Sequence, residues 1–542
     1  MRGGDLLVEC LKAQGVRCLF GMPGTQNLQI YDSLLRCGAG AIDHYLIRHE
    51  YGATVMADGY ARASGDVGVA LTVPGPGASN ASTGLLQAYT DCVPVLLITG
   101  QHDSRHYGRD PAKLFHGLDQ MAFFEPITRY RAIARTAADI PRVVEEAFRV
   151  LRAPRPGPAM LEFPQDAITG PADGLEVPDR VPSLAAGTPD EALLAEAARR
   201  LGAASRPLIL AGNAVITGGA REPLRALAER LRAPVAVTRR GKGALAEDHE
   251  LALLDIRGYL ARQAVEAADC TLAVGCRFTS IDTSQWECRF PRPLIQLDPE
   301  ASEIGREYDC DVGIAGDLRL SLESLCEQVP GGGGEWMPLL EGWRRRFAAQ
   351  PPLPLLPEIR ELLPDDGILS VDVHGIGYSA FAEYPVRDPE TFLYPCIGVS
   401  LGHAFPAALG ARLARPDRPV VCFSGDGGFL MGSFELATAV RYGIDVTVVV
   451  VNDSALTAIK GSQLRDCEGR TIDTELTNPD FVAFARSFGI HAERVRDLGE
   501  FRPALERSLA AAGPSLVEVE MSGRQEEIMS WVTWLREDPL RD

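Results

Sequence analysis

No run of apolar residues in the 542-residue chain approaches the roughly 18 needed to cross a bilayer as a helix. The opening Met1-Arg2-Gly3-Gly4-Asp5 also lacks the apolar core of a secretory signal, so a cytoplasmic protein is expected. The twelve cysteines include no C-x-x-C pair, which excludes a zinc ribbon and a dithiol redox motif. Several lie inside apolar runs such as Val420-Val421-Cys422-Phe423, as small core residues of a reducing compartment do. No Lys/Arg-rich run breaks a net charge of -19, so neither nucleic acid nor an anionic membrane surface is expected as a partner. No G-x-G-x-x-G follows a strand-like run, because Gly425-Asp426-Gly427 has Leu430 where the third glycine would stand; that argues against a nicotinamide dehydrogenase. Gly241-Lys242-Gly243 lacks both the spaced first glycine and the Ser/Thr of a P-loop.

The chain is too long for one core, and two stretches divide it. Residues 163–190 turn to Pro, Gly, Asp and Ser, a composition that predicts neither helix nor central strand. Residues 330–354 do the same around a short helical piece near Trp343. The blocks expected are 1–165, 190–328 and 355–525, with a tail at 526–542. Each holds short, unbroken apolar runs followed by glycine and a helical pattern: 67–73, 207–211, 271–274, 420–423 and 446–451. Unbroken runs of strand length suit parallel strands covered on both faces, so the fold class is α/β with three doubly wound parallel sheets. The first and last blocks also echo each other, a strand meeting Gly75-Pro76-Gly77 in one and Gly425-Asp426-Gly427 in the other before a helix and a second strand. Two like domains could hold a ligand between them.

The strongest motif is Ser424-Gly425-Asp426-Gly427-Gly428, directly after a buried strand and before a helical stretch at 433–441. Glycines there let backbone N–H groups approach a phosphate. A carboxylate at the centre would repel that phosphate unless a cation stood between them, so Asp426 implies Mg²⁺. About two dozen residues later the chain returns to the same sheet edge at Asn452-Asp453-Ser454-Ala455, where Asp453 can face Asp426.

This spacing resembles the signature of thiamine-diphosphate enzymes, Gly-Asp-Gly followed by Asn-Asn. The resemblance implies Asp426, Asp453 and the carbonyl of Ala455 as Mg²⁺ ligands; Asn-Asp in place of Asn-Asn keeps an oxygen ligand and adds charge. Arg48-His49-Glu50, leading into Tyr51–Arg62, resembles the acetohydroxyacid (acetolactate) synthase group, in which this Glu hydrogen-bonds the aminopyrimidine ring. Further matches run from Phe20-Gly21-Met22-Pro23-Gly24 through Gly75–Asn80 and Arg155-Pro156-Gly157-Pro158 to Gly275-Cys276-Arg277-Phe278. A carboxylate at the pyrimidine favours the imino form, whose nitrogen removes the thiazolium proton.

By the same resemblance, Leu401 is the wedge that folds the two cofactor rings together and the carbonyl of Val399 receives the amino group, at a position where the family has Gly more often. Gly24, Pro74, Asn80, His374, Gly375, the loop 424–428 and Leu456 complete the implied cofactor contacts. Thr25, Gln101, Phe115, His116 and the stretch 456–463 would sit over the reacting carbon. The implied activity is decarboxylation of a 2-oxo acid and joining of the carbanion to a second carbonyl compound. A non-ligating decarboxylase and an FAD-linked oxidase are the alternatives. The paired histidines of simple pyruvate decarboxylases have no counterpart, while Phe115-His116-Gly117 replaces the usual Phe-Gln-Glu, pointing to an acceptor other than pyruvate. The middle block resembles an FAD-binding domain that is empty in many relatives. Glu50 and Asp426 of one site would come from different subunits, making a homodimer the minimal unit and a tetramer compatible.

Overall fold

The computed structural model describes residues 1–332, 335–350 and 352–532. Three six-stranded sheets account for the strands, and every strand pair within them is parallel. From edge to edge the first runs Asp43–Leu46, Cys18–Gly21, Gly68–Thr72, Val95–Gln101, Ala159–Pro164 and Tyr130–Ile133. The central sheet runs Val312–Ala315, Leu294–Asp298, Cys270–Val274, Pro207–Ala211, Val235–Val237 and Ala252–Asp255. The last runs Phe392–Leu393, Ile368–Val371, Val420–Gly425, Thr447–Asn452, Ser515–Glu520 and His491–Val495. Each expected apolar run is a strand, and strands such as Val420–Gly425 and Thr447–Asn452 are buried throughout. The first and last sheets share one strand order, 2-1-3-4-6-5 in chain order, whereas the central sheet has 3-2-1-4-5-6. The sequence echo between the outer blocks is thus a shared topology.

Three local differences stand out. The short helix Gln165–Thr169 forms within the proline-rich stretch 163–190, because Pro164 only precedes its first turn and supplies the fixed extended backbone there. The helix after the Gly-rich loop starts at Asp426 rather than at 433: Asp426–Gly432, a 3₁₀ turn at Ser433–Glu435, then Leu436–Tyr442. Near Trp343, Met337–Ala348 is a full helix, and the buried Trp336 beside it donates its indole N–H to the Pro207 carbonyl at 2.9 Å, tying this segment to the central core. Of the expected tail, Gln525–Trp531 is helical, and residues 533–542 lie outside those described. Among the described residues no helix is long and apolar enough to cross a membrane.

The outer blocks meet through helices Glu50–Ser64 and Ala404–Ala414. A Cβ at Gly59 would lie 2.1 Å from the Ala407 carbonyl oxygen, and one at Gly410 would lie 1.9 Å from that of Met56. Only glycine lets the two backbones touch. Beside this contact Arg62 donates to Asp58 at 2.5 Å and to Asp91 at 2.8 Å, and His403 Nε2 lies 3.0 Å from Asp58. Asp91 also accepts from the backbone N–H of Cys396 and Ile397, each at 3.0 Å. Burial alone would raise the Asp58 pKa, but Arg62 and His403 outweigh it and hold the carboxyl below the ordinary range. Replacing Asp91 with Ala leaves Arg62 short of a partner and frees the segment after Cys396. The expected cost is about 3–5 kcal/mol in denaturant unfolding, with faster amide exchange at residues 396 and 397.

Candidate active site

In a parallel sheet all strands end on one edge, and ligands meet the chain there. At the edge of the first sheet the structure gathers the residues expected from the first block. Glu50 opens its helix after His49, whose ring accepts from the Tyr51 N–H at 3.2 Å. Only 7% exposed, the Glu50 carboxylate accepts from Asn80 Nδ2 at 3.0 Å and lies against Gly77. Gly24 packs on Val73, next to the buried Pro74, with its N–H donating to Asn27 at 2.7 Å. Thr25 is exposed, and its carbonyl accepts from Gln165. Gln101, at the end of its strand, accepts from the His102 N–H at 3.0 Å. His116 stands in the left-handed region (φ 55°), and its backbone presses on Gly75, itself at φ 61°, so closely that a Cβ on Gly75 would lie 2.5 Å from the His116 oxygen.

The edge of the last sheet gathers the second set. Asp426 accepts from Gly427 N–H at 2.9 Å, Ser454 N–H at 2.9 Å and Asn478 Nδ2 at 2.7 Å. Asp453 accepts from Ala455 N–H at 3.3 Å and from the Thr457 hydroxyl, and its carbonyl accepts from Gln525. The turn is closed by Leu476 N–H to Ser454 O at 2.7 Å and Leu456 N–H to Thr474 O at 2.8 Å, with the Leu456 side chain over Gly427. Burial raises both carboxyls, Asp453 to about 6 with the charge of Asp426 adding to it, and the groups acting most strongly on either include no Lys or Arg. Two adjacent buried acids without a cation are a fit for a hard metal ion held by oxygen. His374, next to Gly375, packs its ring on Phe423 at 4.6 Å and its Cβ beside Gly425, and burial pushes its pKa down to about 3. Its Nε2 is buried with no partner, a polar atom suited to meet a ligand held by the loop Ser424–Gly428.

Between the edges hangs the loop with Val399 and Leu401. Ser400 N–H and hydroxyl both donate to Gln87 Oε1, at 3.3 and 3.0 Å, and the Leu401 carbonyl accepts from the Tyr51 hydroxyl at 3.2 Å. Asp372, fully buried, accepts from Gly402 N–H and Ala404 N–H at 3.1 Å each. Val399 has φ 48°, a left-handed conformation that costs a β-branched residue about 1–2 kcal/mol.

Domain families described as thiamine pyrophosphate enzyme match in three places: the N-terminal TPP binding domain at residues 1–123, the central domain at 194–325 and the C-terminal TPP binding domain at 375–519. The acetolactate synthase large subunit of Parasynechococcus marenigrum is 34% identical over 96% of this chain and 87% of its own length. The chain belongs to the thiamine pyrophosphate enzyme family. Its similarity to acetolactate synthases extends to the isozyme 2 large subunit of Escherichia coli, 32% identical over 96% of both chains. A probable 2-ketoarginine decarboxylase of Pseudomonas aeruginosa is 34% identical over 96% of this chain and 94% of its own. The protein is thus an acetolactate synthase-like enzyme with thiamine diphosphate as cofactor.

Several residues of this family member escape a motif reading. Asp372 and Asn478 support the Val399–Ala404 loop and Asp426 from a strand end and a turn distant in sequence; a lone Asp after an apolar run was the only signal for the first, and Thr477-Asn478-Pro479-Asp480 reads as an ordinary turn. Glu435 is another: from the last block it accepts from Arg48 N–H at 3.0 Å and His49 N–H at 3.3 Å, capping the helix that Glu50 opens. The Thr438 hydroxyl lies within hydrogen-bond reach of both Glu435 Oε2 and, at 3.0 Å, the Leu46 carbonyl. With one proton it can donate to only one of them, and a protonated Glu435 donating to Thr438 satisfies all three groups.

Burial raises the Glu435 pKa to about 7, against which the hydrogen bonds from Thr438, Arg48 and His49 act. The folded state therefore binds a proton that the unfolded chain has lost, and stability falls as pH rises from the ordinary carboxyl value to about 7. Glu435→Gln should flatten the dependence of the urea midpoint between pH 5 and 8, and an unchanged slope would contradict the assignment. Val399→Gly should relieve the left-handed strain and raise unfolding stability by up to about 1 kcal/mol, since glycine's extra freedom in the unfolded chain offsets part of the gain.

Proposed function

We propose that the enzyme decarboxylates a 2-oxo acid and joins the resulting carbanion to a second carbonyl compound, with thiamine diphosphate held between the Glu50 edge of one chain and the Asp426–Asp453 edge of another. The observation that carries this reading is the pair of complementary edges. One offers a single buried carboxylate braced by Asn80, and the other two adjacent buried carboxylates with an unpartnered His374 nitrogen. Asp426, Asp453 and the Ala455 carbonyl would hold Mg²⁺, and the glycine loop 424–428 would offer its backbone N–H groups to a diphosphate. When bound, the cofactor supplies the electron sink for loss of CO₂. Glu50 would hydrogen-bond the pyrimidine, Leu401 would support the bend between the rings, and the Val399 carbonyl would accept from the amino group. Thr25, Gln101 and His116 face the substrate.

The functional units are residues 1–165, 190–328 and 355–525, assembled as a homodimer or tetramer in the cytoplasm. Twelve free thiols, seven of them buried, suit that compartment. A cavity of about 810 Å³ lies between the central block and the first, lined by Arg152, Arg180, Arg239, Arg240 and Lys242. The Nε atoms of Arg239 and Arg240 are buried without partners. These groups fit the phosphates of a dinucleotide such as FAD, and a flavin spectrum of the purified protein is the check.

Glu50→Gln should reduce CO₂ release by about a hundredfold or more while cofactor binding persists. Asp426→Ala should abolish Mg²⁺-dependent binding of thiamine diphosphate in a calorimetric titration. Full turnover in the first variant, or unchanged binding in the second, would overturn the reading. Products from single and paired 2-oxo acids, identified by mass, name the donor and acceptor.

A further inference from the structure

Three of the chain's nine histidines meet on one loop. Residues 102–119 leave the end of strand Val95–Gln101 and return at helix Gln120–Phe124. Tyr107 pins the loop through its hydroxyl to Glu162 at 2.5 Å, Gln120 donates to the same carboxylate at 2.8 Å, and Ser104 N–H donates to Asp166 at 2.8 Å. On this frame the rings of His102 and His106 lie 6.1 Å apart, edge to face. His102 hydrogen-bonds the Phe115 carbonyl, and His106 and His116 both stand close enough to oppose its protonation. Phe115 stacks on His116 at 3.9 Å and is 64% exposed.

His102 Nε2, His106 Nδ1 and His116 Nδ1 are buried and have no hydrogen-bond partner. A loop braced only for shape gains nothing from three such nitrogens, each of which loses its water on burial with no partner in return. Their location is informative. The His116 backbone presses on Gly75, and two residues on, a Cβ at Gly77 would lie 3.1 Å from Glu50 Oε1. The His116 backbone and Glu50 therefore flank one helix N-terminus. The charged groups around the loop are Asp103 beside His102, Glu162 and Asp166 beneath it, Asp119 near Glu162, and Arg135 over the Tyr107 ring at 4.8 Å.

We propose that His116 is the acid–base group for the carbonyl acceptor and that His102 and His106 connect it to solvent as a proton relay. This rests on the carboligation reading above. As the new C–C bond forms, the π pair of the acceptor carbonyl moves to its oxygen, which takes a proton from the His116 imidazolium. When the joined product leaves, the neutral ring takes the proton of the donor-derived hydroxyl, and that O–H pair becomes the product's carbonyl bond. The electron pair of the bond broken at release stays on the carbon from which the product departs, and the product leaves as a neutral ketone. One proton is given and one returned, so no outside oxidant or reductant is needed.

The test uses the full enzyme with thiamine diphosphate and Mg²⁺, comparing His116→Gln, His102→Gln and His106→Gln. CO₂ release is followed with ferricyanide draining the carbanion, and joined product is followed without it. His116→Gln should lose about a hundredfold in joined product, a much larger loss than in ferricyanide-coupled CO₂ release. His102→Gln and His106→Gln should shift the pH profile of joining. Independently of turnover, NMR of the histidine ring signals in the cofactor-free protein should show the His102 midpoint rising when His116 is replaced, because a like charge is removed. Unchanged joining in His116→Gln, or an unmoved His102 midpoint, would overturn the proposal. If His116→Gln does not fold, the same midpoint read in His106→Gln decides, with no shift counting against the relay. A wild-type enzyme that releases no CO₂ from any 2-oxo acid would instead sink the carboligation reading.

Discussion

The buried charge cluster of Arg62, Asp58, Asp91 and His403 is the constraint on which the site geometry depends. Its four members come from the first and last blocks, and none is more than 6% exposed. A buried ion pair contributes little net stability over an apolar equivalent, because desolvation offsets most of the attraction. Its effect lies elsewhere: each charge is satisfied in one arrangement of the two blocks only. Asp91 then carries that arrangement into the segment at Cys396 and Ile397, two residues ahead of Val399. From there Gln87, Asp372 and Tyr51 take over through Leu401 to Ala404. The loop from Val399 to Ala404 is suspended from both outer blocks, and its strained Val399 is held by contacts on either side.

The sequence made some of this legible and hid the rest for physical reasons. Unbroken apolar runs marked the buried parallel strands, because a strand covered on both faces needs no polar alternation. The Gly-Asp-Gly loop and its spacing to Asn452-Asp453 pointed to one edge, since a glycine turn and an acid inside it are local features. Glu50, a common residue on a helix, became readable only through the family resemblance. Asp372, Asn478 and Glu435 were silent because their meaning is tertiary: each acts on groups hundreds or tens of residues away, and nothing in its immediate neighbours says so. The same holds for the histidines, of which only His116 sat in a recognisable position. The 163–190 stretch was read as linker from composition, yet proline ahead of a first turn is compatible with the helix at 165–169.

The outer sheets share a strand order and differ in what their edges carry. The first edge bears one carboxylate and a histidine loop; the last bears two carboxylates and a glycine loop. The central sheet, with its different order, turns a lining of arginines toward the junction instead.

The contact of Gly59 with Ala407 and of Gly410 with Met56 has a mechanical consequence. Two helices whose backbones touch cannot slide past one another without driving a carbonyl into a Cα, so the outer blocks of a chain move as a single rigid piece.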